Sequence, residues 1–126
     1  MYKRDLKQVG NITTQVAMKH NIFEYEKMPI MQSLDFYIHI NKHIKDFKSI
    51  DTYLDALNNI STVLKSPEAT FYDKDRNTIL YFCKTEENVC YAVKLNMNKD
   101  YFFLASLYPI SEKKLNKYKE RSYLKV

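Results

Sequence analysis

The sequence predicts an α+β fold: N-terminal helices packed on one face of a four-stranded antiparallel meander, with a C-terminal basic helix. Three observations predict it. Apolar residues recur at helical spacing up to Pro67. Beyond Pro67 the chain turns β-branched and aromatic, and polar clusters at Asp73–Asn77, Thr85–Asn88 and Asn96–Asp100 cut it into short pieces. After Pro109 a serine opens a lysine-rich segment. One domain spans 1–126, helical over about 1–67, sheet over about 68–110 and helical again over about 111–122.

A short apolar piece ends at Val9, and Gly10–Asn11 are expected to turn the chain. Thr13 or Thr14 then caps a short helix through "QVAMKH". Pro29 interrupts, and "PIM" has the composition of a short strand. Ser33 suits an N-cap, with Asp35 in the first turn to complement the helix dipole. Leu34, Tyr37, Ile38, Ile40, Ile44 and Phe47 form the apolar stripe of that helix. The next helix has Asp51 as its expected cap, Leu54, Leu57, Ile60, Val63 and Leu64 on one face, and Pro67 as its stop. Four strands follow, at Thr70–Tyr72, Thr78–Lys84, Val89–Leu95 and Tyr101–Tyr108.

Composition narrows the function. Hydrophobic residues make up 45% of the 126, enough for a packed core without metal or disulfide staples. A single glycine excludes a glycine-rich phosphate loop, and with it most dinucleotide and ATP chemistry. No apolar run is long enough for a membrane span, and no apolar segment follows the charged "MYKRDLKQVG". No signal peptide and no membrane partner are therefore expected, and the expected location is the cytoplasm of the host cell. Cys83 and Cys90 lack CxxC spacing, so they make no zinc site alone, and buried thiols are expected ahead of a disulfide. Net charge is +5, and Glu112–Val126 holds six cations against two acids. Such a segment is either a solvated helix face or a phosphate-binding one.

Chemistry concentrates in "FYIHINKHIKDF", which holds His39 and His43. On a helix, residues four apart share a face. A metal pair would need a third ligand, and the glutamate of an HExxH site is missing. No metal and no other cofactor is expected. Surface polarity and acid–base work remain open, histidine being the side chain that titrates nearest neutral pH. In "FFLASLYP", Ser106 and Tyr108 share a face by strand period, as an edge pair or as two hydroxyls at a cleft. Lys84, Lys94 and Arg76 lie in or beside the strands, where lysine more often guards an edge but would stabilise a phosphate if turned inward.

Four stretches occur in an order that resembles a known family: "VGNITTQVAMKHNI", "HINKHIKDF", "DRNTILYFCKTEENVCYAVKLN" and "ASLYPIS". Together they resemble the phage-associated branch of the barnase–EndoU–colicin–RelE (BECR) nuclease superfold, over nearly the whole chain. Members often carry an H-I-x-x-[RK]-H helix, matched here by His39, Ile40, Lys42 and His43, and a [TS]-x-Y-P strand end, matched by Ser106 to Pro109. The resemblance implies a metal-independent, toxin-like endoribonuclease of a phage or other mobile element, with RNA as partner. Cleavage would proceed by 2′-OH attack. His43 is then base or acid with His39 its neighbour, Ser106 holds a phosphate oxygen, Lys84 or Lys94 balances charge, and Tyr108 orients the substrate. Arg76, Lys94, Lys113, Lys114 and Lys117 would contact RNA. Lys42 and Ile44 stand where the branch usually has Arg and Pro around the second histidine. That departure supports an alternative: a catalytically silent inhibitor, immunity or anti-defence module that binds a host protein.

Overall fold

A computed structural model describes residues 6–124. The chain runs β1 (Lys7–Asn11), α1 (Thr14–His20), β2 (Pro29–Gln32), α2 (Leu34–Ile40), α3 (Ile50–Asn58), α4 (Ile60–Lys65), β3 (Ala69–Asp73), β4 (Thr78–Lys84), β5 (Asn88–Leu95), β6 (Phe102–Pro109) and α5 (Glu112–Leu124). Three 3₁₀ turns, at Phe23–Tyr25, Asn41–Asp46 and Lys74–Arg76, join some of these.

The α+β class holds, but the sheet is six-stranded and mixed, in the order β1-β2-β6-β5-β4-β3. The four expected strands form its antiparallel meander, β3 to β6. Two more strands come from the N-terminal half. β1 pairs antiparallel with β2, and β2 pairs parallel with β6 through Ile30–Phe102 and Met31–Phe103 alone. That parallel contact links segments some seventy residues apart by two register pairs, which no local pattern announces. Gly10 does not turn the chain. It sits at an irregularity in β1, where an added Cβ would lie 3.3 Å from Leu64 Cβ on α4. Its missing side chain lets β1 approach that helix.

Caps explain the helix boundaries. Thr13 Oγ1 accepts from the Val16 N–H, and Asn21, in the left-handed region, closes α1. Ser49, not Asp51, caps α3. Its hydroxyl accepts from Thr52 N–H while the Thr52 hydroxyl accepts from Ser49 N–H. Asp51 occupies the first turn instead, where a negative charge complements the dipole. The expected single helix through Leu64 breaks at Asn59 into α3 and α4.

Helices α1 to α4 contribute Val16, Ala17, Phe36, Ile40, Tyr53, Ala56, Ile60, Val63 and Leu64 to one core. The sheet supplies Ile79, Tyr81, Val89, Tyr91, Val93, Leu104 and Leu107 to it. On the other face, α5 packs Leu115 and Tyr118 against Phe71, Leu80, Phe82 and Cys90. The expected stripe of α2 is rotated: Phe36, Ile40 and Phe47 are buried, whereas Leu34, Tyr37 and Ile38 are 65%, 44% and 73% exposed. Leu54 of α3 is exposed too. Cys83 pairs across from Val89 and Cys90 from Phe82, so the thiols point to opposite faces. Both are free, and burial pushes the Cys90 thiol up to about 12.

Two tyrosines of the helix-facing core differ in one respect. The Tyr91 hydroxyl donates to the Ala56 carbonyl at 2.7 Å, whereas the Tyr81 hydroxyl, equally buried, has no partner among the described residues. Tyr91→Phe is expected to cost about 1–2 kcal/mol, because it strands a buried carbonyl. Tyr81→Phe is expected to be neutral or stabilising, since it removes a polar group from an apolar site. Urea titrations of the two variants separate these outcomes.

His20 at the end of α1 bonds Thr70 Oγ1 at 2.7 Å, beside Lys19, whose Nζ donates to the Thr70 carbonyl. Burial, then the Lys19 charge, lowers its pKa to about 4. The unfolded chain therefore binds a proton between pH 6.5 and 4 that the folded chain rejects, so stability falls as pH drops through that window. Solvent around the half-exposed ring limits the loss to about 1–2 kcal/mol. Denaturation midpoints measured from pH 7 to 4 should show this decline, and His20→Gln should flatten it.

Candidate active site

α2 stops at Ile40 because the backbone tightens into the 3₁₀ turn Asn41–Asp46. A 3₁₀ turn stacks residues three apart. It thereby brings Asp46 under His43, with Nδ1 and Oδ2 3.2 Å apart. His39 remains on α2, exposed, its ring 6.2 Å from that of His43. Loss of solvent around its ring, then the charges of Lys42 and His43, lowers its pKa.

The sheet delivers the opposite wall. β2 pairs only with the start of β6, so over the described residues no strand flanks the end of β6 on that side. α2 and its 3₁₀ turn pack there instead. A bulge between Ala92 and Val93 opposes Ser106 to Ala92 and Leu104 to Val93, leaving Ala105 as the extra residue. Ser106 and Tyr108 thus share the face of Ala92 and Cys90. The Tyr108 ring centre lies 5.9 Å from that of His43. Its hydroxyl accepts from the Cys90 thiol at 3.4 Å, and burial, then Cys90, pushes its pKa far up. Tyr108 is accordingly a neutral phenol whose proton is available to donate.

Between these walls lies a cleft of about 630 Å³, lined by His43, Asp46, Tyr108, Lys84 and Lys48, and by Glu86, Glu87 and Glu112. That volume is within the usual range for a small-ligand site. Much of its acidity is committed to structure. Glu87 accepts from the Lys48 N–H at 2.9 Å and the Thr52 hydroxyl at 3.0 Å, tying the β4–β5 turn to the start of α3. Glu112 accepts from the Asn88 amide at 2.6 Å. Four carboxylates still outnumber two lysines in the lining.

Of the residues singled out in the sequence, His43, Tyr108 and Lys84 converge on this cleft, with His39 beside it. Ser106 shares the face of Tyr108 but does not line the cleft. Lys94 pairs across from Thr78, at the far end of β4 from Lys84, about 20 Å along the strand. Arg76 lies near that far end, exposed, 3.9 Å from Asp73. Lys113, Lys114 and Lys117 line a separate groove on α5. Asp46, Lys48 and Glu87 escaped sequence reading. Asp46 had one available signal, its three-residue spacing from His43. Lys48 and Glu87 are brought in by long-range packing and had none.

A family model described as phage-Barnase-EndoU-ColicinE5/D-RelE like nuclease3 matches residues 7–117. The chain belongs to that family. The match takes in β1 to β6, the His43 turn and the first half of α5 of this BECR-like protein. No curated protein and no solved structure matches it. Among the described residues, no helix is long and apolar enough to cross a membrane, and no three His, Cys, Asp or Glu side chains are grouped to hold a metal ion.

Glu87 ties the β4–β5 turn to the start of α3 beside the cleft. Glu87→Ala is expected to lower stability by about 1 kcal/mol, by removing the two hydrogen bonds that tie the β4–β5 turn to Lys48 and Thr52, while the Thr52 hydroxyl keeps its bonds to Ser49. Amide exchange at Lys48 and Thr52 should rise by more than exchange in β5.

Proposed function

We propose that this BECR-like chain is a metal-independent endoribonuclease that cleaves RNA at the His43 cleft. The observation that carries the reading is the His43–Asp46 pair facing Tyr108, with Lys84 and Lys48 on the same cleft. Asp46 accepts the Nδ1 proton and leaves Nε2 as the acceptor. That nitrogen takes the ribose 2′-OH proton as the oxygen attacks the adjacent phosphorus. The 5′-oxygen leaves with a proton from His39 or from the imidazolium of His43, and a 2′,3′-cyclic phosphate remains. Lys84, Lys48 and the Tyr108 hydroxyl stabilise charge on the pentavalent phosphate. Ser106, off the cleft, has no role in this scheme.

Incubation of purified protein with total RNA in EDTA tests it. Wild type should yield cyclic-phosphate ends, and His43→Ala should lose about 10²–10⁴ in rate. Asp46→Asn should fall between them, with the larger effect on kcat. Equal RNA integrity with wild type and His43→Ala would reject catalysis through His43.

One observation favours the alternative, a silent module that binds a host protein. Leu34, Tyr37 and Ile38 form an exposed apolar face on α2, as an interface anchor would. That reading predicts intact RNA together with a stoichiometric protein partner that survives RNase treatment and is lost in Ile38→Asp.

A further inference from the structure

The cleft has the groups for cleavage but the wrong charge to hold a polyanion. Its carboxylates outnumber its lysines, so a phosphate entering it gains little from the local field. Affinity for a nucleic-acid strand has to come from elsewhere on the molecule.

α5 supplies the missing field. A groove of about 410 Å³ along it is lined by Ser111, Lys113, Lys114, Lys117, Tyr118 and Arg121, with no carboxylate. Lys113, Lys117 and Arg121 recur every four residues, one above the other on one face. Their rise of about 6 Å per step is comparable to the spacing of successive phosphates along a strand. None of the four cations forms an ion pair among the described residues. Like charges stacked this way cost a helix a few tenths of a kcal/mol per pair, a cost that an anionic ligand would relieve.

Two further observations fix direction and occupant. Ser111 lines both this groove and the His43 cleft, so the two adjoin at the start of α5. Tyr118 is held against the sheet by Phe71 and Phe82, with ring centres 5.3 and 5.7 Å away, and the Arg121 guanidinium carbon lies 5.9 Å from its ring centre. A guanidinium braced on a fixed ring is a platform on which an unpaired base can stack.

We infer that α5 is a docking rail for the backbone of a single-stranded RNA, which runs along Lys113, Lys117 and Arg121 and passes Ser111 into the His43 cleft. The rail deepens the proposed ribonuclease reading and rests on it for the choice of RNA. It divides the labour: α5 holds the strand, and the cleft acts on one linkage.

The test is fluorescence anisotropy with a labelled oligouridylate of about 12 nucleotides, within the size range of single-strand sites. The protein is the full chain carrying His43→Ala, so that the probe survives. The rail predicts that log affinity falls linearly with log salt. Adding Lys113→Gln, Lys117→Gln and Arg121→Gln should reduce that slope by about 2 and weaken binding about tenfold or more at low salt. Replacing the same three glutamines by arginine should restore it, and thermal melts should match throughout. Unchanged affinity and slope in the triple-glutamine protein overturn the rail. So does equal affinity for a duplex of the same length, or tighter binding to vesicles of anionic lipid than to the oligonucleotide. The two readings fail separately. Salt-dependent binding lost in the triple variant, with no cleavage by wild type, retains the rail and rejects the ribonuclease. Cleavage with an unaltered salt slope does the reverse.

Discussion

Among the described residues, β6 has strand partners on both sides only at Phe102 and Phe103. Beyond them β2 has ended, and the rest of β6 keeps β5 alone. The candidate site depends on that shortfall. Had β2 continued, a seventh or eighth residue of sheet would occupy the space where the Asn41–Asp46 turn now packs, and His43 would not meet the Tyr108 ring. The shortfall coincides with the start of α2: Ser33, extended and at the N-cap position though its side chain makes no cap bond, directly follows the end of β2. The start of a local helix thus limits a long-range strand pairing.

Around this edge the apolar core, the His43 cleft and the cations of α5 occupy different parts of the molecule. The helix-covered face of the sheet is packed with apolar side chains and carries stability. The α5 face is only partly covered, and its far rim bears Lys94 and Arg76. In the cleft, Glu87 and Glu112 are bound to backbone and side-chain donors of the scaffold, and the lining is not cationic. Lys113, Lys114, Lys117 and Arg121 gather on α5 instead.

The meander was legible because each strand announces itself locally: β4 runs from Thr78 to Lys84 as its aromatic and β-branched run indicates, bounded by polar clusters. The short edge strands were not, since four residues of β2 acquire strand character from Phe102 and Phe103, far along the chain. Helix α2 was legible as a helix but not in orientation. Apolar residues at 34, 36, 37, 38 and 40 surround its axis, so periodicity alone could not select Phe36 over Leu34 or Ile38 as the buried side. His43 stood out through its resemblance to a family motif. Its partner Asp46 did not, because α-helical spacing places residue 46 less squarely beneath 43 than the tighter 3₁₀ turn does. Ser49 won the α3 cap from Asp51 through a reciprocal bond with Thr52, a contest that two adjacent capable residues leave open in sequence.

The turn that carries His43 also screens the outer edge of β6. Unpaired strand edges recruit other edges, and proteins shield them to stay monodisperse. Here the shield and the candidate catalytic residue are the same six residues, Asn41–Asp46. A descendant that abandoned the chemistry would be free to exchange the imidazole, but deleting the turn would leave an aromatic-rich strand open to self-association. Shielding the edge gives the fold a use for this segment that does not depend on any reaction at His43.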